Sequence, residues 1–222
     1  MPLIDVLAGK GGECGALFRA YDWGASPLGE PHTWDIQLQT LVGIVLAAQQ
    51  PMYVVWGPEQ IVIYNDANAL TYGQRHPGAF GRPFREALSD QIWPKIEPHV
   101  VAAYNGVSTS RQNAAFTMNR NDYVEETFFS FSYTPVRSVS GEVQGFFCSC
   151  HELTAEMLRH RESESDHKRL RSIFETALGA VAVIRGPDYV FTYANAEYEE
   201  FIGHRDFMGR TVAEALPELV RQ

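Results

Sequence analysis

The sequence predicts an α+β fold in which short helices pack on an antiparallel sheet, built as two copies of one small module. Three observations carry that expectation. Short apolar runs are separated by tight turns, as where Met52 to Trp56 and Ile61 to Tyr64 flank Gly57-Pro58-Glu59-Gln60, the pattern of a hairpin. Between such runs lie segments whose apolar residues recur at helical spacing, such as Leu38, Leu41, Val42, Ile44, Val45 and Leu46, which need a surface to cover. The chain also repeats itself over about 129 positions: Tyr64-Asn65-Asp66-Ala67 and Gly81-Arg82-Pro83-Phe84-Arg85-Glu86-Ala87-Leu88 recur as Tyr193-Ala194-Asn195-Ala196 and Gly209-Arg210-Thr211-Val212-Ala213-Glu214-Ala215-Leu216, a period suited to a small domain.

The elements are expected in this order. Residues 1–35 are rich in glycine and polar residues and read as a turn-rich arm before a helix, with Pro31 suited to the first turn of that helix. From Trp34 to Pro51 the apolar stripe predicts a helix that covers either a sheet or a second subunit. After the hairpin, short helices are expected at Asp66 to Tyr72 and Pro83 to Leu88. A longer one runs from Pro94 to Tyr104, closed by Asn105-Gly106 as a left-handed C-cap. Strands are expected at Gln112 to Met118, Tyr123 to Val136 and Glu142 to Cys150, with turns at Asn119-Arg120-Asn121-Asp122 and Ser138-Val139-Ser140-Gly141. In the long central strand Glu125, Thr127, Phe129, Phe131 and Tyr133 share one face, and Glu126, Phe128, Ser130, Ser132 and Thr134 share the other. Glu152 to Ser172 is a charged helix whose apolar positions thin out between Leu158 and Leu170, leaving parallel helix pairing and a solvated linker both open. Ala182 to Arg185 and Tyr189 to Tyr193, around Gly186-Pro187-Asp188, begin the second copy.

A net charge of −9, from 27 acidic against 18 basic side chains, argues against a phosphate-backbone partner, so no nucleic acid is expected. Three cysteines, Cys14, Cys148 and Cys150, form no secretory framework, and the Met-Pro-Leu-Ile start lacks the basic and apolar segments of a leader. The expected location is cytoplasmic. The apolar stretch near Leu41 to Ala48 is far short of the roughly 18 residues a membrane span needs, so no membrane segment is expected in this sequence.

In this order, the strand, turn, strand ending in Tyr64-Asn65-Asp66-Ala67, the short helices with Gly81-Arg82-Pro83-Phe84, the longer helix and the three strands carrying Phe131-Ser132-Tyr133-Thr134-Pro135-Val136 and Gly145-Phe146-Phe147-Cys148 resemble the PAS domain of bacterial signal-transduction proteins. Asp22-Trp23 with Ser26-Pro27-Leu28-Gly29 is similar to the arm before the first PAS domain of sensor and hybrid histidine kinases. Asp35 and Gly24 depart from that arm, where proline and serine are usual. The resemblance implies a five-stranded antiparallel sheet flanked by helices, a sensory or dimerising role, and a helical exit to the next module. In such kinases the catalytic steps lie in downstream domains, so this stretch is expected to carry no catalytic residue.

The residues that invite a chemical reading divide into turn formers and a candidate pocket. Asn65, Gly81, Asn195 and Gly209 are expected as structural turn residues. An amide after a strand can fix a chain reversal, and neither glycine lies in a phosphate-binding loop. Trp56, Tyr64, Trp93, His99, Phe129, Phe131 and Phe147 mark where a ligand pocket would be sought, in a set that serves equally as core. His99 stands on the helix from which related sensors present a haem ligand, with no supporting feature beside it; His76 reads as a loop residue. The stretch Tyr72 to Gly81 contains no cysteine for a flavin adduct. No cofactor is therefore expected, with non-covalent flavin and haem kept as alternatives, and no metal site. Cys148 and Cys150, two apart on a strand, read as small core residues.

The partition expected is an arm and amphipathic helix at 1–50, a PAS domain at 51–151, a helical signalling linker at 152–172 and the start of a second PAS domain, cut short, at 173–222. The resemblance implies that such a chain serves as the sensory, homodimeric region of a bacterial two-component phosphorelay protein, relaying a signal to a downstream histidine kinase or another output module. Two alternatives stand beside it: a ligand-free interaction and dimerisation module, and a non-covalent small-molecule sensor.

Overall fold

The computed structural model describes residues 2–119, 123–203 and 205–220; Arg120, Asn121 and Asp122 of the expected turn lie outside them. Where the sequence reads as an irregular arm, the chain forms two helices, α1 (Leu3–Ala8) and α2 (Gly12–Ala20), and two short 3-10 turns at Trp23–Ala25 and Pro31–Thr33. The glycines between Gly9 and Gly15 hide the helical pattern, yet Leu7, Cys14 and Phe18 are all buried. Trp23 and Trp34 pack edge to face at 5.0 Å, and each indole donates to a backbone carbonyl, Phe18 O and Gly29 O, at 2.8 Å. These bonds let two large polar-tipped rings enter the core. Helix α3 (Ile36–Ala47) buries Leu38, Val42, Val45 and Leu46 and packs against the first two strands of its own chain, which answers the question of what its stripe covers.

Strands β1 (Met52–Trp56) and β2 (Ile61–Tyr64) form the hairpin. Helices α4 (Asp66–Tyr72), α5 (Phe84–Ala87) and α6 (Trp93–Tyr104) come next, then β3 (Thr109–Asn119), β4 (Val124–Arg137) and β5 (Val143–Glu152). The five strands make one sheet in the order β2-β1-β5-β4-β3, with every neighbouring pair antiparallel. β1 and β2 are buried on both faces because α3 lies on one side and α4 to α6 on the other, which is why they read as continuous apolar runs rather than alternating ones. On β4 the alternation is visible: Phe129, Phe131 and Tyr133 are buried, while Ser130 and Ser132 are half-buried and Thr134 is exposed. A bulge at 112–113 shifts the β3 register before Ala114.

The chain divides into two compact units, residues 1–157 and 158–222, with the boundary inside α7 (Thr154–Glu175). At 1.5 Å per residue this 22-residue helix is about 33 Å long. Its residues 158–173 are all exposed, among them Leu158, Leu170 and Ile173. Among the described residues, no helix is long and apolar enough to cross a membrane.

The second unit repeats the opening of the first with β6 (Ala182–Arg185), β7 (Val190–Ala194), α8 (Ala196–Ile202), α9 (Val212–Ala215) and α10 (Pro217–Val220). Phe191, Phe207, Ala215 and Leu216 form its core. The hydrogen bonds correct the register of the repeat. Gly81 N donates to Val62 O and Gly209 N to Phe191 O, so Val62 corresponds to Phe191, 129 positions on. Asn65 and Asn195, however, make the same bonds, 130 positions apart. The extra residue is Thr192, bulged between the pairs Val183 with Tyr193 and Ile184 with Phe191. Tyr64 therefore corresponds to Ala194, not to Tyr193, and the shared tyrosine letter marks different faces of the strand.

Candidate functional site

The inner face of the five-stranded sheet and helices α4 to α6 enclose a cavity of about 70 Å³. The sheet contributes Tyr53 from β1, Phe116 and Met118 from β3, Phe129, Phe131 and Tyr133 from β4, and Cys150 from β5. The helical side contributes Asn68, Thr71 and Tyr72 of α4, Phe84 of α5, and Leu88, Ile92 and Ile96 around α6. No charged side chain lines it. Tyr53 donates to the Tyr133 hydroxyl at 2.8 Å, a buried pair deep in the wall. Burial is the main cause that pushes the phenol pKa values of Tyr53, Tyr72 and Tyr133 well up, so all three remain neutral. Asn68, 1% exposed, accepts a thiol contact from Cys150 Sγ at 3.4 Å through Oδ1, while its Nδ2 has no hydrogen-bond partner.

Of the pocket residues proposed from sequence, the structure brings Phe129 and Phe131 to the cavity. Trp56 and Phe147 belong to the opposite sheet face: Phe147 pairs with Val54 and Trp56 with Gly145, whereas the cavity face runs through Tyr53, Cys148 and Tyr133. Tyr64 is on the inner face but stands behind Tyr72, stacked on it at 4.3 Å, with its hydroxyl 2.9 Å from His76 Nδ1. Trp93 opens α6 beneath the Arg85 guanidinium, 5.4 Å from the ring centre. His99 meets Phe131 edge-on at 5.4 Å, half-buried outside the cavity wall; burial first and Arg111 second lower its pKa. Besides the tyrosines, Asn68, Thr71 and Cys150 bring polar atoms to the cavity wall, and sequence reasoning singled out none of these three as a site residue. The signal available was strand parity, which puts Cys150 on the face of Phe131.

A pocket that encloses a cofactor-sized ligand measures about 300–1,000 Å³. A flavin or a haem does not fit a cavity of about 70 Å³. Among the described residues no group of three His, Cys, Asp or Glu side chains is placed to hold a metal ion.

A second constellation frames the site. Asn65 caps α4: its Oδ1 accepts from Asn68 N at 3.0 Å and Met52 N at 3.1 Å, and its Nδ2 donates to Ala48 O at 2.9 Å and Gln50 O at 2.7 Å. One buried amide thus holds the end of α3, the start of β1 and the start of α4. Asn195 does the same in the second unit. Its Oδ1 accepts from Val181 N at 2.8 Å and Tyr198 N at 3.0 Å, and its Nδ2 donates to Phe174 O at 3.1 Å and Gly179 O at 2.8 Å. Phe174 is in the last turn of α7, so the end of α7 is bonded to the second hub as the end of α3 is bonded to the first. Gly81 and Gly209 both take the left-handed backbone, with φ of 73° and 77°, where the chain bonds back to β2 and β7 just before α5 and α9.

The start of α7 is fixed to the sheet next to the cavity. Thr154 Oγ1 accepts from Phe128 N at 3.1 Å, and Leu153 N donates to Phe128 O at 2.7 Å. Phe128 precedes the cavity-lining Phe129 on β4.

Residues 46–157 match the family described as PAS fold, and residues 168–222 match one described as PAS domain. The chain belongs to the PAS fold family, that of a signalling domain. No curated protein matches the chain. Similar solved structures include an RNA-binding Light-Oxygen-Voltage receptor, at 21% identity and TM-score 0.40 over 55% of this chain and 35% of that one. A PAS domain from Colwellia psychrerythraea is similar at 17% identity and TM-score 0.40, over 55% of this chain and 99% of that one. The PAS domain of Bordetella pertussis BvgS is similar at 17% identity and TM-score 0.38, over 59% and 98%. The chain spans 35% of the length of the first of these.

Proposed function

We propose that the chain is the sensory and dimerising PAS region of a bacterial signal-transduction protein, cytoplasmic, with a PAS domain at 51–151, a signalling helix at 152–172 and the beginning of a second PAS domain at 173–222. It relays a change in the first domain through that helix to a downstream histidine kinase or other output module. The observation that carries this reading is the double tie of Phe128 to Leu153 and Thr154. A shift of β4 at Phe129, on the cavity wall, moves the backbone to which the helix start is bonded. The helix then ends at Phe174, bonded to Asn195, so a change in its pitch or direction reaches the second copy through its own hub. A homodimer is the expected assembly, because exposed Leu158, Leu170 and Ile173 on α7 and Ile36 and Ile44 on α3 gain from pairing with a second copy.

Hydrogen exchange on the whole chain tests the relay. In Phe131→Leu, which loosens the cavity wall, exchange should change along α7 as well as in β4. Exchange altered only within the sheet would overturn the relay, and sedimentation as a monomer at every concentration would overturn the dimer. A second reading, a non-covalent small-molecule sensor, is favoured by the uncharged cavity between the sheet and helices α4 to α6.

A further inference from the structure

The bulge on β3, an edge of the sheet, brings a charged residue to the inner face. Arg111 faces Phe131, Gln112 and Asn113 together stand against Ser130, and Ala114 faces Phe129, with Phe116 opposite Thr127. Strict alternation would put Arg111 on the face of Ala115 and Thr117. The bulge inverts the parity and places Arg111 with Ala114 and Phe116, on the side where α6 packs.

Helix α6 meets this strand with two further basic groups. Lys95 and His99 are one turn apart, about 40° around the helix, whereas Glu97 lies about 200° from Lys95 and is exposed. Lys95 Nζ stands 5.6 Å from the centre of the Phe116 ring and donates to Ala115 O at 2.7 Å. That bond uses one of its three donors and none of its charge. His99 meets Phe131 at 5.4 Å and Tyr133 at 6.2 Å, and burial first and Arg111 second lower its pKa. Among the described residues neither Lys95 nor Arg111 has a carboxylate partner.

Lys95, Arg111, Ala114, Ala115, Phe116 and Phe131 line a groove of about 320 Å³, which shares only Phe116 and Phe131 with the inner cavity. This volume lies within the roughly 300–1,000 Å³ of small-ligand sites. Charge guards an edge strand, but a guard has no need of two unpaired cations in one groove. The planar fork of an arginine suits a carboxylate or a phosphate. Four of the six lining residues are apolar, so the anion that fits carries a hydrocarbon body, which inorganic phosphate lacks.

We propose that this groove binds a small carboxylate with a compact hydrocarbon body, its carboxylate held between Lys95 and Arg111 and its body laid against Ala114, Phe116 and Phe131. The site is separate from the inner cavity, and its occupancy does not depend on the relay through α7.

Benzoate is the probe, titrated into the full 222-residue chain while the His99 ring resonances, assigned with His99→Gln, are followed against pH. The imidazole is faced by Phe131 and Tyr133 of β4 and by Arg111 of β3, with Lys95 one turn away on its own helix. A carboxylate between the two cations offsets their field, so saturating benzoate should raise the pH at which His99 takes up its proton. Arg111→Gln, at an exposed position, should weaken benzoate binding about tenfold, as for one charge-assisted hydrogen bond, and Lys95→Gln should do the same. Shifts that do not saturate, an equal response to benzyl alcohol, to phosphate or to chloride at the same ionic strength, or unchanged affinity in either variant would overturn the proposal.

Discussion

The two copies keep the same asparagine hub and differ in what surrounds it. Around Asn65, the equivalent strand positions carry Tyr53, Trp56 and Tyr64, all buried; around Asn195 they carry Ala182, Arg185 and Ala194, of which Arg185 is exposed. In the first copy the sheet has five strands, and in the second the described residues form two. The hub bonds nonetheless match atom for atom. The chain reversal after the hairpin is thus a local device, made by one amide with two donors and one oxygen. Of these, Tyr53 is the one that sets a cavity wall beside the first hub.

Position 66 makes the second contrast. Asp66, at the start of α4, receives Glu13 N at 3.1 Å and Cys14 N at 2.6 Å, so its carboxylate caps α2 from across the fold. Gly12 is required there, since a Cβ would stand 1.7 Å from Asp66 Oδ2 at a backbone φ of 60°. The corresponding residue of the second copy, Ala196, has no carboxylate to offer. An N-terminal arm docked in this way belongs to the first copy alone among the described residues.

These contrasts can be broken by substitution. The largest effect is expected for Asn65→Ala, which strips four hydrogen bonds from buried and part-buried backbone and should cost about 3–4 kcal/mol in denaturant unfolding. Asn195→Ala should leave the denaturant unfolding of the first unit's sheet unchanged and raise hydrogen exchange in the second unit and along α7. Next is Tyr53→Phe, which leaves the Tyr133 hydroxyl buried and unpaired, a loss of about 1–3 kcal/mol. The double variant with Tyr133→Phe should lose less than the sum of the two singles, because no orphan hydroxyl remains. Asp66→Ala makes the first copy like the second at this position and should cost about 1–2 kcal/mol through the lost α2 cap, read as faster proteolysis within residues 1–20 while the sheet persists.

The smallest effect concerns pH. Burial and Arg111 lower the His99 pKa. Above the ordinary value of about 6.5 the imidazole is neutral in both folded and unfolded chains and adds no pH dependence. As pH falls through that value the unfolded chain binds the proton first, so stability falls until the folded form protonates as well. His99→Gln should flatten this part of the stability profile, measured by denaturant unfolding on either side of the ordinary value.

Much of the fold was legible because its signals are local. The hairpin at 52–64, the helix closed by Gly106 and the five strands follow from apolar runs and turn residues, and the motif order pointed to the PAS fold. The helices of the N-terminal arm were not, since Gly9, Gly11, Gly12 and Gly15 interrupt the pattern that tertiary packing of Phe18 and Trp23 restores. The repeat was visible but its register was not: a bulge at Thr192 appears only in the pairing of β6 with β7. The cavity was the least legible part. Phe129 and Phe131 follow from strand parity, but Asn68 reaches the wall by its place on α4, one turn after its cap, and nothing in composition separates it from an exposed amide.

The most direct measurement is amide hydrogen exchange resolved along α7 in Thr154→Val and, separately, in Asn195→Ala. Each variant unties one end of the helix. A helix that relays between its two ties should exchange faster at the end opposite to the substitution as well as beside it. Faster exchange confined to the turn next to each substituted residue would contradict the relay and leave α7 a linker.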